Sequence, residues 1–216
     1  MNFANNRHNA ERAFADLQAV SKDSCLAGGD VTDPAGVESI VAQVREQLGP
    51  IDVLVVNATS PQPQKPLEEY DWAFFQEMLD FFVKSPVLLT KACLPHMKRQ
   101  RWGRIIHLTS EVFALGVPNF SAYVAAKGAQ TGLARSLARE LAPYGVTVNM
   151  IAPGWVPVER HQHDPPEQKA AYLATVPAGR WGTPADVAGA AVYFASEEAA
   201  FVTGQTVSVN GGHTVQ

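Results

Sequence analysis

The chain has 216 residues, 46% of them hydrophobic, which is enough apolar material for one domain with a substantial core. A net charge of -4 and an isoelectric point near 5.8 give no reason to expect a nucleic acid or an anionic membrane as a partner. Two cysteines, Cys25 and Cys93, are too few for a disulfide framework, so the sequence predicts a reducing, cytoplasmic location. We expect neither a membrane span nor a signal peptide, because no apolar run reaches ~18 residues and the first residues are polar.

Short apolar runs alternate with amphipathic helical patterns, and this order is typical of a parallel α/β sheet. Strands are predicted at residues 1–4, 24–28, 51–56, 105–108, 146–151 and 206–209. Helices are predicted at residues 8–18, 34–48, 72–98 with an interruption near Pro86, 120–142 and from 184 onward. Asp33 before Pro34 and Thr183 before Pro184 are typical of capped helix starts.

The alternation predicts an α/β fold with a doubly wound parallel sheet. No repeat or linker divides the sequence, so residues 1–216 are expected to form a single domain. Between residues 155 and 182 the chain is polar, irregular and contains prolines. A segment of this kind beside a site is often mobile, and we therefore predict a substrate lid there.

Tyr123 and Lys127 form a Tyr-x-x-x-Lys pair, and Ser110 lies thirteen residues before the tyrosine. Residues four apart on a helix share one face, so the lysine ammonium would lie near the phenol. A positive charge there favours the phenolate and lowers a pKa that is ordinarily ~10. A serine at a strand end could hold a carbonyl oxygen while the tyrosine gives or takes a proton, so the three residues predict a proton-transfer site.

Further residues that suit a ligand follow the predicted strands. Asp30 and Val31 follow the second strand, Asn57 and Ala58 follow the third, and Pro153-Gly154 ends the fifth. Open parallel sheets bind ligands outside the carboxyl ends of their strands, so these residues are candidates for one extended site.

Taken together, these features resemble the short-chain dehydrogenase/reductase family, in the compact bacterial branch that includes 3-oxoacyl-carrier-protein reductases. The resemblance covers essentially the whole chain. It rests on Asp30-Val31-Thr32, Leu94-Pro95-His96-Met97, Gly103-Arg104-Ile105-Ile106, Ser121-Ala122-Tyr123 with Lys127, and Arg180, Gly182, Pro184 and Asp186. It implies a nicotinamide-dependent oxidoreductase that acts on a small carbonyl or alcohol and forms a homotetramer or homodimer.

The resemblance also implies a role for each residue of the pair and for the serine. Tyr123 would be the general acid/base of the reaction. Lys127 would lower the pKa of the tyrosine and hydrogen-bond the nicotinamide ribose. Ser110 would orient the substrate carbonyl.

The cofactor contacts that the resemblance implies lie at the strand ends. Asp30 and Val31 would line the adenine pocket, Asn57 and Ala58 would pass the adenosine ribose, and Pro153 and Gly154 would flank the nicotinamide. NADP is expected, with NAD as the alternative. Family members that use NAD carry an acid just after their second strand, whereas this chain has Arg7, which suits a 2′-phosphate.

The chain departs from the family pattern at several points. Phe82 stands where the family has an active-site asparagine, Val158 where it has a threonine, and Asn57-Ala58-Thr59 replaces a glycine-containing turn. The family's opening strand, glycine-rich turn and helix have no counterpart, because no glycine precedes Ala27. We therefore expect weak or absent dinucleotide binding by this chain, and either a rearranged sheet or a neighbouring chain in the place of the missing strand.

Two other functions stay open. A non-catalytic relative that binds a partner or joins a hetero-oligomer is favoured by the missing turn, and opposed by Ser110, Tyr123 and Lys127. A cofactor-free lyase similar to the halohydrin dehalogenases is disfavoured because those carry arginine where this chain has Lys127. No metal site is expected, because His161 and His163 have no further ligands nearby in the sequence.

Overall fold

The computed structural model describes residues 1–215, and of Arg160 it describes the backbone alone. Parallel strands alternate with helices, as the sequence predicts. The strands are β1 (Asn2–Phe3), β2 (Ala27–Gly28), β3 (Val53–Val56), β4 (Gly103–Leu108), β5 (Val146–Pro153) and β6 (Thr206–Val209). The helices are α1 (Arg7–Val20), α2 (Pro34–Leu48), α3 (Trp72–Leu79), α4 (Ser85–Gln100), α5 (Val112–Leu115), α6 (Ser121–Leu141), α7 (Pro166–Thr175) and α8 (Pro184–Ala195).

Helices cover both faces of the main sheet, which confirms the predicted doubly wound α/β class. On one face Ile105, Val148 and Met150 pack in a core that includes residues of α2, α4 and α6. On the opposite face Ile106 and Ile151 pack beneath α8. Because both faces are covered, the central strands β4 and β5 are buried almost throughout rather than on alternate residues.

The strands form two parallel sheets rather than one. Strands β3, β4, β5 and β6 pair in that order, while β1 and β2 pair with each other. Within the described residues no strand joins β1 to β3, so each sheet ends there in an unpaired edge. In the edge strand β3, Val55 is 46% exposed, although its neighbours Leu54 and Val56 are 8% and 3% exposed.

The predicted helix starts are confirmed by their caps. The Asp33 carboxylate accepts a hydrogen bond from the Gly36 amide at 2.8 Å, and Pro34 is the first residue of α2. Thr183 and Asp186 cap each other reciprocally at the start of α8. In each case a side-chain oxygen replaces the partner that an early helical N–H lacks.

The predicted helix over residues 72–98 is divided by one wide turn at Asp80–Lys84. Pro86 lies in the first turn of α4 and carries no N–H, so it cannot bond the carbonyl four residues earlier. The Ser85 amide instead bonds to the Asp80 carbonyl, five residues back, which is the π-helical pattern. Phe82 lies within this turn, which directs it toward α6.

The segment predicted as an irregular lid, residues 155–182, contains the ten-residue helix α7. Its sequence has Pro166 at the first helical position, a signal that the surrounding prolines and polar residues obscured. In the part of the chain that the structure describes, no helix is long and apolar enough to cross a membrane.

Candidate active site

The side chains of the candidate site follow the carboxyl ends of β2, β3, β4 and β5. The strands within each sheet are parallel, so their carboxyl ends share an edge, where an open α/β sheet presents its ligand crevice. The two sheets, β1-β2 and β3-β4-β5-β6, each have such an edge.

Lys127 is buried, and its ammonium lies at the end of β4. Its Nζ donates a hydrogen bond to the Leu108 carbonyl at 2.7 Å and another to Gln130 Oε1 at 3.0 Å. Lys127 as a whole residue is only 3% exposed. Burying an ammonium is unfavourable unless acceptors replace its water, and these two oxygens supply part of that replacement.

Tyr123 lies one helical turn before Lys127 on α6, as the spacing predicts. The Lys127 Nζ is 5.6 Å from the centroid of the Tyr123 ring. Phe82 packs against both residues: its ring centroid is 5.3 Å from that of Tyr123 and 3.8 Å from Lys127 Nζ. An aromatic face attracts a cation, so Phe82 contributes to holding the ammonium beside the tyrosine.

Ser110 follows β4 by two residues, directly beyond the carbonyl that Lys127 contacts. Its Oγ accepts a long hydrogen bond, 3.4 Å, from the Val112 amide at the start of α5. Lys127 thus reaches the end of β4, from which the chain leads to Ser110, and Tyr123 lies one helical turn away on α6.

The four residues predicted at the adenosine end differ in exposure. Asp30 is exposed, and its Oδ1 accepts hydrogen bonds from the Thr32 amide and hydroxyl, both at 2.8 Å. Val31 is buried in the core, and Ala58 packs against that core. Asn57, by contrast, is exposed directly after β3. Asp30 and Asn57 are therefore the two whose polar groups can reach a ligand.

Pro153 is the last residue of β5, and Gly154 follows it, directly before residues 155–182. The Gly154 amide donates to the Val209 carbonyl at 3.1 Å. A Cβ at Gly154 would lie 2.5 Å from Tyr172 Oη and 2.9 Å from Asn210 Cβ, so only glycine fits. Arg7, by contrast, is the exposed first residue of α1; its Nη1 lies 3.4 Å from Glu11 Oε1 and its guanidinium 5.2 Å from the Phe3 ring.

Sequence reasoning missed two buried polar residues of this region. Gln130 holds the Lys127 ammonium, and Glu111, which follows Ser110, accepts hydrogen bonds from residues far along the chain. The spacing of Gln130, three residues after the lysine, could have indicated a contact on one helix face. No sequence rule connects Glu111 with its partners, which lie 61 to 102 residues away.

Among the described residues, no group of three or more histidines, cysteines, aspartates or glutamates could hold a metal ion. His161, considered above as a ligand, accepts a hydrogen bond from the Val158 amide at 3.2 Å and packs against Trp155.

Comparisons with known proteins agree on one family. A family model described as enoyl-(acyl carrier protein) reductase, of the short-chain alcohol dehydrogenase type, matches residues 2–214. The 3-oxoacyl-[acyl-carrier-protein] reductase FabG of Escherichia coli is 38% identical over 185 residues, covering 85% of this chain and 75% of the reductase. The FabG of Staphylococcus aureus is 36% identical over 214 residues, and the match covers 98% of this chain and 86% of that reductase.

A solved structure extends the likeness to three dimensions. Gluconate 5-dehydrogenase from Burkholderia cenocepacia, in complex with NADP and tartrate, superposes with a TM-score of 0.86. It is 28% identical, and the match covers 98% of this chain and 84% of that one. The chain therefore belongs to the short-chain dehydrogenase/reductase family of NAD(P)-dependent oxidoreductases.

Proposed function

We propose that this oxidoreductase transfers a hydride between a nicotinamide cofactor and a carbonyl or alcohol carbon, with Tyr123 as the general acid/base. The observation that carries the proposal is the placement of the Lys127 ammonium. It is fixed by Leu108 and Gln130 at the strand end that leads into Ser110, one helical turn from the tyrosine. A positive charge held there favours the ionised form of a nearby phenol, which is what a proton-transferring tyrosine needs.

Each of the three residues then has one task. Ser110 holds the substrate carbonyl oxygen through its hydroxyl, Tyr123 gives that oxygen a proton or removes one, and Lys127 keeps the tyrosine poised. When bound, the dinucleotide supplies or accepts the hydride. Phe82 and the buried end of β4 exclude water from the ammonium, which strengthens its electrostatic effect on the tyrosine.

We propose NADP as the preferred dinucleotide, with NAD as the alternative. Asp30 and Val31 would hold its adenine, Asn57 and Ala58 its adenosine ribose, and Pro153 and Gly154 its nicotinamide. The exposed guanidinium of Arg7 supports the choice, since it could pair with a 2′-phosphate by reorienting from Glu11, an exposed ion pair of small energy. The NADP in the gluconate 5-dehydrogenase structure adds support.

Binding of the dinucleotide by the 216-residue chain is proposed to be weak. A pyrophosphate requires backbone N–H donors of the kind that a glycine-rich turn at a helix start provides. Between β1 and α1, where Asn6 caps the helix, the chain has no glycine. The side chains at the strand ends can bind the adenosine and nicotinamide but leave the pyrophosphate with few donors.

We propose a small-molecule carbonyl or alcohol substrate such as gluconate, or a 3-oxoacyl group carried on an acyl carrier protein, since these stand in the relatives' names. We further propose that the chain acts in the cytoplasm as a homotetramer or homodimer, with residues 1–216 as one domain. A second function, as a non-catalytic binding subunit, is supported by one observation, the break between β1 and β3.

Replacing Tyr123 tests the catalytic proposal. Reduction of candidate carbonyls should be measured at millimolar NADPH, so that weak cofactor binding does not hide turnover. Tyr123→Phe should lower kcat by about 100-fold or more, because positioned general acid/base catalysis contributes roughly 10²–10⁴-fold. Tyr193→Phe, on α8 with 43% exposure, is the matched control and should retain full activity. Equal turnover in Tyr123→Phe and the wild type would refute the mechanism, and no cofactor-dependent turnover in either would favour the binding subunit.

A further inference from the structure

Glu111, the residue directly after Ser110, carries a buried carboxylate at the centre of a hydrogen-bond network. The residue is 4% exposed. Its Oε1 accepts from the Tyr172 hydroxyl at 2.6 Å, and its Oε2 accepts from Asn210 Nδ2 at 2.9 Å and from His213 Nδ1 at 3.2 Å. A carboxylate is stable in a buried place only when donors surround it, and here the three side-chain donors come from α7 and from the segment after β6.

The Tyr172 hydroxyl joins this network to the first residue of the lid. It donates to Glu111 and accepts from the Trp155 amide at 2.7 Å, directly after Gly154. Burial raises the pKa of Tyr172 above its ordinary value, and the hydrogen bond that Tyr172 donates to Glu111 raises it further. The phenol therefore stays protonated and continues to donate at any physiological pH.

The network is packed by aromatic rings of the lid. The Tyr172 ring stacks on that of Trp181 with centroids 5.5 Å apart, and it meets Trp155 and His213 edge-on at 5.4 Å and 5.0 Å. Tyr172 and Trp155 border a cavity of about 270 Å³, whose walls also include Gly154, Ser208 and Asn210. Tyr172 is thus both a wall of the cavity and the link between the lid and Glu111.

We propose that Glu111 is a positioning residue that fixes α7 and the segment after β6 against the strand end carrying Ser110. The proposal rests on the proposed function in one respect, that the lid bounds the substrate site. Glu111 is joined to Ser110 by a peptide bond. Its two carboxylate oxygens accept hydrogen bonds from the lid and from the segment after β6. The serine that orients the carbonyl and the lid that encloses the rest of the substrate are therefore set relative to each other by adjacent residues.

The geometry predicts a specific pattern of coupling between the two side chains. Hydrogen bonds to charged groups are among the stronger ones, and those inside a low-dielectric region depend on one another. Removing either end of the Glu111–Tyr172 bond should release α7, and removing both should add little more. The effect should fall on substrate binding rather than on the chemical step, because Tyr123 and Lys127 remain in place.

Amide hydrogen exchange with the full chain, followed by mass spectrometry, tests the proposal without a substrate. Glu111→Gln replaces one hydrogen-bond-accepting carboxylate oxygen with an amide NH₂ group, which can only donate. Tyr172→Phe removes the hydroxyl and keeps the ring. Each should speed exchange of the α7 amides, residues 166–175, by about tenfold or more, while β4 and β5 keep their protection. The double variant should resemble the stronger single variant, and Tyr193→Phe on α8 should leave α7 exchange unchanged.

Steady-state kinetics supply the readout that a merely structural role would not give. With any carbonyl substrate that is turned over, Glu111→Gln and Tyr172→Phe should raise KM about tenfold and leave kcat within about threefold. Equal losses in kcat for both variants, with KM unchanged, would contradict a positioning role.

The exchange experiment tests the role of Glu111, and turnover by the wild type tests the proposed function, so either proposal can be refuted without the other. Unchanged α7 exchange in Tyr172→Phe, or additive effects in the double variant, would overturn the inference even if the enzyme is active. If Glu111→Gln loses protection from amide exchange throughout the sheet, that variant is misfolded, and the α7 exchange of Tyr172→Phe alone decides whether the inference stands. Absence of turnover in the wild type would count against the proposed function, and the exchange result would still decide the role of Glu111.

Discussion

Phe82 occupies the position at which the family resemblance predicts an asparagine, and its ring lies against the Lys127 ammonium. An aromatic face can stabilise a cation but cannot donate or accept protons through bound water as an amide would allow. In this chain the amide oxygen beside the ammonium comes instead from Gln130, on the same helix as the lysine. The lysine is thus held directly by protein groups, so its position depends on side chains of α6 and of the π-helical turn.

His107 presents a second residue-scale feature, an imidazole buried at 0% exposure in β4. Neither ring nitrogen has a hydrogen-bond partner among the described residues. Burial lowers the pKa of His107, and the positive charge of Lys127 lowers it further, to about 4. The neutral imidazole is therefore the form that the fold accommodates.

We predict that His107 makes the protein acid-sensitive between about pH 6.5 and pH 4. In that window the unfolded chain binds a proton on this histidine and the folded chain does not, so stability falls as pH falls. Going from pH 7 to pH 4.5, the wild type should lose roughly 2–3 kcal/mol more stability than His107→Leu. Urea unfolding followed by tryptophan fluorescence measures this difference.

An exposed histidine gives the control for that measurement. His8→Gln, on the surface of α1, should retain the pH dependence of the wild type. Parallel pH profiles for the wild type and His107→Leu would show that the folded state protonates His107 without cost.

At the scale of elements, local signals predicted most of the helices and strands. The caps at Asp33 and Thr183 placed two helix starts correctly, because a capping side chain contacts amides only two or three residues away. Helix α7 was missed, because the four prolines and the polar sequence of residues 155–182 suggest a loop when packing against Trp155 and Trp181 is unknown. The strand predicted over residues 24–28 is reduced to Ala27–Gly28, because its neighbour β1 pairs with only these two residues.

Gly145 closes the connection between α6 and β5, and its replacement should be costly. Its φ is +73°, and a Cβ there would lie 2.1 Å from the Arg101 carbonyl oxygen. Gly145→Ala should destabilise the protein by about 3 kcal/mol or more, through left-handed strain plus a clash that the backbone must relieve. Thermal and urea unfolding measure the change.

Gly116 is the matched control for the element-scale prediction. Its φ is +61°, but nothing lies within 4 Å of a Cβ placed there. Gly116→Ala should therefore cost only the conformational strain, about 1–2 kcal/mol. Equal losses at the two glycines would show that the contact with Arg101 contributes nothing.

At the scale of the whole molecule, the break between β1 and β3 is the dominant feature. The strands form two separate parallel sheets, and Val55 of β3, an edge strand of the larger sheet, is 46% exposed. Unpaired edges and exposed apolar side chains reduce the area buried on folding and invite another strand.

We predict that the 216-residue chain binds NADPH more weakly than micromolar, as isothermal titration calorimetry would measure. Adding an amino-terminal strand, glycine-rich turn and helix should restore micromolar binding and raise Tm, because the turn supplies donors to the pyrophosphate and the strand pairs both edges. The same addition with alanine in place of the turn glycines should raise Tm without restoring binding. Micromolar binding by the 216-residue chain would show that its own residues suffice for the pyrophosphate.

The sequence by itself determined the fold class, the family and the helical spacing of Tyr123 and Lys127. These follow from local periodicity and from motifs whose members lie within a few residues of one another. Tertiary structure alone decided the contacts of Lys127 with Leu108 and Phe82, the network around Glu111, and the division of the sheet. Those features join residues 19 to 102 positions apart or depend on which strands become neighbours, so they arise only when the helices pack on the sheet and burial forces each polar group to find a partner.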